Sequence, residues 1–398
     1  MFMFQKYCED CGLPVIYHFQ TWIDGLIEAC LPQFKFSQKT NSFFSGLIEK
    51  FFLVLGLIKA KDDFEMSEIQ MRSRCFINEA KKYGIKFKAL KSPFEYTNYF
   101  WAEINGKRIR FEGLPLAEHK NKYNSTFIDN KERIKMYLKK EGFPIAEGKS
   151  FWFYEKNQAL KFGNDKLGYP LVVKPFNGSV ARHVTINIQN KKKLEEAIKK
   201  VIIFSPVFLV ERFIENSFVY RATVVDFNFT AVVNQIPANI VGDGLLTIQQ
   251  LVEKKNSDSR RGEFCQNNFI FHKIIIDETT IKLLKEKDYN LNSIPKKDEV
   301  VYLQESPFLR LGGDLIEVTK KVHPDNIELF QKIARFFDIR LVGIDFIIPN
   351  IEVSYKNQTC AVLDLNSLPC IEMHQFPSSG QPQNIGKIVV DLFLKYYL

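Results

Sequence analysis

From residue 67 to the carboxyl end, helix-start signals alternate with short apolar runs rich in β-branched residues, and this alternation narrows the accessible folds more than any other feature. Ser67 with Gln70, Asp129 with Glu132 and Thr247 with Gln250 have capping spacings, and Asn190 precedes a helical pattern that reaches about 201. Gly84 and Gly142 supply stops for the first two helices. Strand-like segments fall at 85–90, 171–173, 207–211, 219–225, 229–236, 340–348 and 360–365, with further helices at about 278–286 and 324–337. Asn105-Gly106, between strand patterns at 99–104 and 107–111, is a strong hairpin signal. Helices and strands mixed in this order predict an α+β or α/β architecture.

The first 64 residues follow a different pattern. Leu26, Ile27 and Cys30, then Phe43, Phe44, Leu47, Ile48, Phe51 and Phe52, recur at spacings of three and four and predict amphipathic helices packed on a core or a partner. A membrane-docking face is the rival reading of 41–60. A boundary is expected between 115 and 127, giving a helical region 1–64, an α/β unit 65–125 and a larger unit 126–398.

The longest apolar run, Phe51 to Ile58, is eight residues long. A spanning helix needs roughly 18 to 20, so no transmembrane segment is expected. Lys6, Glu9 and Asp10 break any signal-peptide pattern, and seven cysteines, an odd number, argue against a disulfide framework. The expected location is therefore the cytoplasm. Cys8 and Cys11 form a CxxC without the further ligands of a zinc site, and read as thiols in a terminal turn. The formal charge of +9 permits an anionic partner, but no basic cluster interleaved with aromatics marks a nucleic-acid module. Nucleic acid is not an expected partner.

Three segments could carry chemistry. In 168–185 a buried strand ends in Lys174, Pro175 stops it, and a loop follows with Gly178, Ser179, Arg182 and His183. A cation delivered by a strand end, ahead of a loop of donors, suits a polyphosphate. The GxxxxGK[ST] pattern is missing, so this is not a Walker loop. Gly242-Asp243-Gly244 forms a tight turn that aims the Thr247 helix, and Arg260-Arg261-Gly262 follows it. Asp364 and Asn366 share a face because strand side chains repeat with period two, and Asp345 on a neighbouring strand could complete an all-oxygen set for magnesium. Taken singly, each segment also fits ordinary structure: a strand and turn, a braced turn, and acids paired with lysines.

As an ordered set the motifs carry a resemblance. Asn130-Lys131, Gly142-Phe-Pro144, VVKP at 172–175, VERFI at 210–214 and Tyr220-Arg221 come first. IPANIVGDGLLTIQQL, NSDSRRG, GGDLIEVTKKVHPDN, GIDFI, DLNSLP and then His374, Pro377 and Gly380 complete the series. From about residue 67 the chain resembles ATP-grasp ligases, in particular the ATP-grasp part of cyanophycin synthetase, and more weakly the glutathione-forming bifunctional ligases. The resemblance implies two α+β lobes, about 126–210 and 211–398, clamping ATP beside an α/β amino-terminal substrate domain. It implies Mg-ATP-dependent ligation, in which the γ-phosphate passes to an amino-acid or peptide carboxylate and an amine attacks the acylphosphate.

Carried over position by position, the resemblance implies that Lys131 and Lys174 neutralise phosphates and that Gly178, Ser179, Arg182 and His183 belong to the covering loop. Glu211 would hold the adenine and ribose side. Asp345, Asp364 and Asn366 would hold magnesium, with manganese as a substitute. Beside what the resemblance carries over, Arg221 and Arg310 are the expected catalytic arginines, and a basic pocket from Arg182, Arg221, Arg260, Arg261 or Arg310 would suit an acidic substrate. His374 lines the acceptor site or braces its loop. Homodimerisation is common among such relatives. A non-catalytic ATP-binding scaffold of the same fold is the alternative.

The chain departs from the pattern at several points. Ala181 and His183 stand where the phosphate loop has glycines, which predicts a stiffer loop. Val219, Gln235, Phe308 and Arg310 replace an acid, an arginine, an asparagine and a serine, and Asp364 is one methylene shorter than the usual glutamate. The Mur-ligase-like region of cyanophycin synthetase has no counterpart in these 398 residues, so one ligation, rather than polymer synthesis, is the expectation.

Overall fold

The computed structural model describes residues 15–30, 38–115, 128, 130–176, 183–264, 266 and 268–397. The Cys8/Cys11 pair, most of the expected 115–127 boundary, Asp129, Gly178, Ser179 and Arg182 lie outside them. Helices α1 (Val15–Cys30) and α2 (Gln38–Val54) match the amphipathic pattern. Leu47, Ile48, Phe51 and Val54 are nevertheless each more than half exposed, so this part of α2 lines no core. Polar contacts fasten α2 instead: Glu49 accepts a hydrogen bond from Trp101 Nε1 at 3.1 Å and pairs with Arg110 at 2.6 Å.

Strands β1 (Lys59–Lys61), β2 (Lys86–Lys91), β3 (Tyr96–Ile104) and β4 (Lys107–Glu112) form an antiparallel sheet in that order. Asn105 and Gly106 take φ of 49° and 72°, the two left-handed residues that a type I′ hairpin requires. Helix α3 (Met71–Lys81) covers the sheet. The expected Ser67–Gln70 capping box does not form. Ile69 is buried with extended backbone, which separates Ser67, in a 3₁₀ turn at Met66–Glu68, from the first turn of α3; Gln70 is the N-cap and its side chain makes no capping bond.

Helix α4 (Lys131–Lys140) opens on Asn130, one residue after the expected cap, with Asn130 Oδ1 accepting from the Arg133 N–H at 3.0 Å. The next sheet holds β5 (Gly148–Trp152), β6 (Leu171–Pro175), β7 (Thr185–Ile188) and β8 (Val207–Arg212) in the order β5-β8-β6-β7. Helices α5 (Lys156–Lys161) and α6 (Lys191–Val201) pack on it through Ala159, Leu194, Ala197 and Ile198. Asn190 caps α6 as expected, accepting from Lys193 N–H.

The largest sheet is built from β9 (Phe218–Val225) and β10 (Phe229–Ile236) together with three later strands. Between β10 and those strands lies an inserted unit. It holds the antiparallel pair β11 (Asn239–Val241) and β14 (Val300–Tyr302), and the short parallel pair β12 (Arg261–Gly262) and β13 (Phe271–His272). It also carries α7 (Ile248–Asn256), which has the expected Thr247–Gln250 capping box, and α8 (Glu278–Lys285). Strands β15 (Asp314–Glu317), β16 (Leu341–Ile348) and β17 (Ala361–Asn366) complete the order β15-β10-β9-β16-β17. Helix α9 (Pro324–Phe336) buries Leu329, Phe330 and Ile333 against one face.

After β17 come α10 (Glu372–Gln375) and α11 (Ile385–Tyr397). Phe393 of α11 meets Phe76 of α3 edge-on at 5.3 Å, so the last helix shares a core with the β1–β4 sheet. Among the described residues no helix is long and apolar enough to cross a membrane. Phe76 is wholly buried and is ringed by Phe87, Phe111 and Phe393. Replacing it with alanine is expected to cost about 3–5 kcal/mol, read as a lower urea midpoint of the full chain.

Candidate active site

Strand register assembles the first half of the site. Antiparallel pairing aligns Glu317, Val233, Arg221, Asp345 and Asp364 in one row across β15, β10, β9, β16 and β17. Directly paired residues point to the same face, so an arginine and two acids stand side by side without any sequence proximity. Arg221 grips Asp345 with two bonds, Nε to Oδ1 at 2.5 Å and Nη2 to Oδ2 at 2.9 Å. Asn366 adds its amide, with Nδ2 3.5 Å from Asp345 Oδ2. Gly343, the register partner of Asn366, makes room: a Cβ there would lie 3.1 Å from both Arg221 Nη1 and Pro369. Burial opposes the charge on Arg221, but the Asp345 carboxylate outweighs it and raises the guanidinium pKa. Asp364 pairs with Lys131 at 3.1 Å. Burial pushes its carboxyl above the usual range, Lys131 opposes this, and the neighbouring Asp345 adds to it.

The second half belongs to β8. Glu211 pairs with Val172 of β6, and Lys174, two residues along, lies on the same face. Lys174 Nζ is 2.7 Å from Glu211 Oε2, and Lys135 of α4 binds Oε1. Gly148 opposite permits this geometry, since a Cβ there would meet Glu211 Cγ at 2.5 Å. Burial works to raise the Glu211 pKa, yet the Lys174 and Lys135 ammoniums hold it below the ordinary carboxylate value. Lys135 is pushed down to about 7, by burial first and by Lys174 second. Helix α4 joins the two halves. Lys131 and Lys135 stand one turn apart on one face, the first reaching β17 and the second β8.

The remaining expected residues fall as follows. His183 adopts φ 55°, where glycine would be at ease, and its ring stacks on Phe204 at 3.3 Å between centroids, giving a non-glycine residue a reason to hold that conformation. Arg310 donates from Nη1 to the Phe264 carbonyl at 3.1 Å, a bond made within the inserted unit. His374 is wholly buried and bonds Thr223 Oγ1 through Nε2 at 2.8 Å, bracing β9 beside the row. Two residues escaped the sequence reading. Lys135 had a signal, its i+4 spacing from Lys131. Arg72 had none: it arrives from α3, donates to the Leu368 carbonyl at 2.7 Å and feels the Arg221 charge.

Burial, then the Arg221 charge, pushes the His374 imidazole down to about 3. The unfolded chain therefore binds a proton at this residue below its ordinary pKa near 6.5 while the folded chain does not. The stabilisation by neutral His374 is complete above about 6.5 and is lost as pH falls toward 3. His374→Gln is expected to flatten the fall in urea midpoint between pH 7 and pH 5; an unchanged slope would remove His374 from that role.

No protein-family profile matches the chain. It is 34% identical over 283 residues to cyanophycin synthetase of Synechocystis sp., covering 70% of this chain and 31% of that one. It is 26% identical over 330 residues to the glutathione biosynthesis bifunctional protein of Clostridium perfringens, covering 82% and 41%. The chain thus spans about a third of the length of the cyanophycin synthetases it matches. The crystal structure of a bifunctional glutathione synthetase from Pasteurella multocida superposes with a TM-score of 0.61 at 23% identity, over 83% of this chain and 44% of that one. With the two sheets, the inserted unit and the charged row already in place, these likenesses make the chain a homologue of cyanophycin synthetases and glutathione bifunctional proteins, and its fold is ATP-grasp.

Proposed function

We propose that the chain is a Mg-ATP-dependent carboxylate–amine ligase acting in the cytoplasm on an amino-acid or peptide carboxylate. The observation that carries this is the convergence of Lys131, Lys135 and Lys174 with Asp345, Asp364 and Asn366 where α4 bridges the two sheets. Three ammoniums set beside half-buried acids suit polyphosphate, because phosphoryl transfer asks chiefly for positioning and charge compensation. Among the described residues no three His, Cys, Asp or Glu side chains gather as a metal cluster. Two carboxylates and an amide oxygen fit magnesium nonetheless, since that ion keeps several waters and takes few protein ligands beside substrate phosphates. When bound there, the ion would supply compensation for phosphate charge.

The roles of the chain's own groups follow from their positions. Lys131 and Lys135, now turned to Asp364 and Glu211, are in reach to exchange those carboxylates for phosphate oxygens. Arg221, anchored by Asp345 and half-buried, presents a fixed guanidinium to an incoming carboxylate or its acylphosphate. Attack by an amine on that acyl carbon forms the amide and expels phosphate. ATP binding unaccompanied by ADP formation across all acceptors would favour the scaffold alternative.

The deciding assay is phosphate release from ATP and magnesium over a panel of amino acids and short peptides, with the amide product identified by mass. Turnover with at least one acceptor is expected; none, together with no ATP binding, refutes the reading. Asp364→Asn is expected to lower turnover at least about a hundredfold, on the scale of losing a group that stabilises transition-state charge, with the urea midpoint little changed. Lys174→Met is expected to weaken ATP binding by roughly ten- to a hundredfold, the scale of one charge-assisted bond, measured by calorimetry.

A further inference from the structure

A concavity lies where the inserted unit meets the edge of the large sheet, and none of the proposed centre's residues lines it. Its volume is about 610 Å³, and its walls include Ile236, Val241, Tyr302, Lys255, Arg261 and Asp314. Register places it on the other face. Ile236 pairs with Asp314 and Asn234 with Ile316, out of phase with the row Glu317–Val233–Arg221, so Ile236, Asp314 and Ile316 point away from the Asp345 and Asp364 side. The motif that turns at Gly242-Asp243-Gly244 and continues into Arg260-Arg261 builds this wall, and the proposed ligation makes no use of it.

Two facts describe its chemistry. The charge is unbalanced: Lys254, Lys255, Arg260 and Arg261 line it against Asp258 and Asp314 only. Asp314 must serve two cations, with Lys255 Nζ at 2.5 Å from Oδ2 and Arg261 Nη2 at 2.5 Å from Oδ1, while Arg260 is taken up by Asp258 at 2.7 Å. Arg261 is 6% exposed, and among the described residues its Nε has no hydrogen-bond partner. The rest of the wall is largely apolar, from Ile236, Val241, Phe271, Val300, Tyr302 and Ile316. Surplus positive charge beside an apolar wall, with Arg261 buried, Lys255 half-buried and Lys254 at the exposed rim, favours an anion that brings its own hydrophobic body.

We infer that this recess is a binding site for a carboxylate attached to an apolar or aromatic group, distinct from the ATP and magnesium centre. The carboxylate approaches Lys254, Lys255 and Arg261, and the apolar part lies against Val241, Val300 and Tyr302. Phosphate has the charge without the body, and a neutral amide has the body without the charge, so neither fills both requirements.

The test is calorimetric titration of the full chain with N-acetyl-phenylalanine, N-acetyl-phenylalaninamide and inorganic phosphate. Saturable binding of the carboxylate is expected, with the amide and phosphate each weaker by about tenfold or more, the scale of one lost charge-assisted or apolar contact. Val241→Glu, a change at a half-exposed rim position, is expected to weaken the carboxylate about tenfold, while Asp364→Asn leaves it unchanged. The inference is overturned by any one of three results: no saturable binding of the carboxylate, equal binding of carboxylate and amide, or no effect of Val241→Glu. Loss of binding in Asp364→Asn, or competition by saturating ATP, would place the ligand in the centre and overturn it equally. Failure of the ligation assay has no bearing on any of these readings.

Discussion

The structure turns on two ammonium groups one helical turn apart. Lys131 and Lys135 leave the same face of α4 and end on different sheets, one on Asp364 and the other on Glu211. Glu211 is buried and Asp364 half-buried, and a carboxylate withdrawn from water without a partner would neutralise itself or unsettle the strand that carries it. A single short helix thereby holds two independently built sheets at a fixed charged seam. Removing the cations would leave Glu211, 3% exposed, leaning on Lys174 alone, and Asp364 facing Asp345 with less compensation.

The seam is also a place of competing demands, which is the usual condition of a functional centre. Glu211 shares its two oxygens between two lysines, while burial first and the Lys174 charge second hold the Lys135 pKa down. Asp345 spends both oxygens on Arg221 and still faces Asp364 across the strand pair. On the proposed function such groups exchange one partner for another when an anionic substrate enters. A core assembled for stability alone would satisfy them with apolar neighbours instead.

Much of the fold was legible because it rests on local physics. Asn190 and Thr247 cap their helices where the spacing says they must, and Asn105-Gly106 makes its hairpin because two left-handed residues in succession suit few other turns. The errors were local as well. Ser67 and Gln70 have the right spacing, but burial of Ile69 draws the intervening backbone into extended form and the helix begins later. Asp129 and Asn130 are both good caps, and adjacency left the choice to geometry. The apolar repeat of α2 specified a helix correctly, while burial depended on what lies beside it, and there Glu49 supplies the attachment.

The sequence by itself determined the elements, the order of motifs and the kinds of side chain available for phosphate and metal, because caps, turns and period-two alternation act over a few residues. Lys174, Asp345, Asp364 and Asn366 could be nominated on that basis. Only the tertiary structure decided which of them meet. The row from Glu317 to Asp364 exists because five strands lie in the order β15-β10-β9-β16-β17 with one register, and strand order is a long-range choice that no local pattern encodes. The same holds for Arg72, which reaches Leu368 from 296 residues away in the chain, and for the surplus charge around Asp314, where Lys255 and Arg261 converge only once the inserted unit folds against the sheet edge.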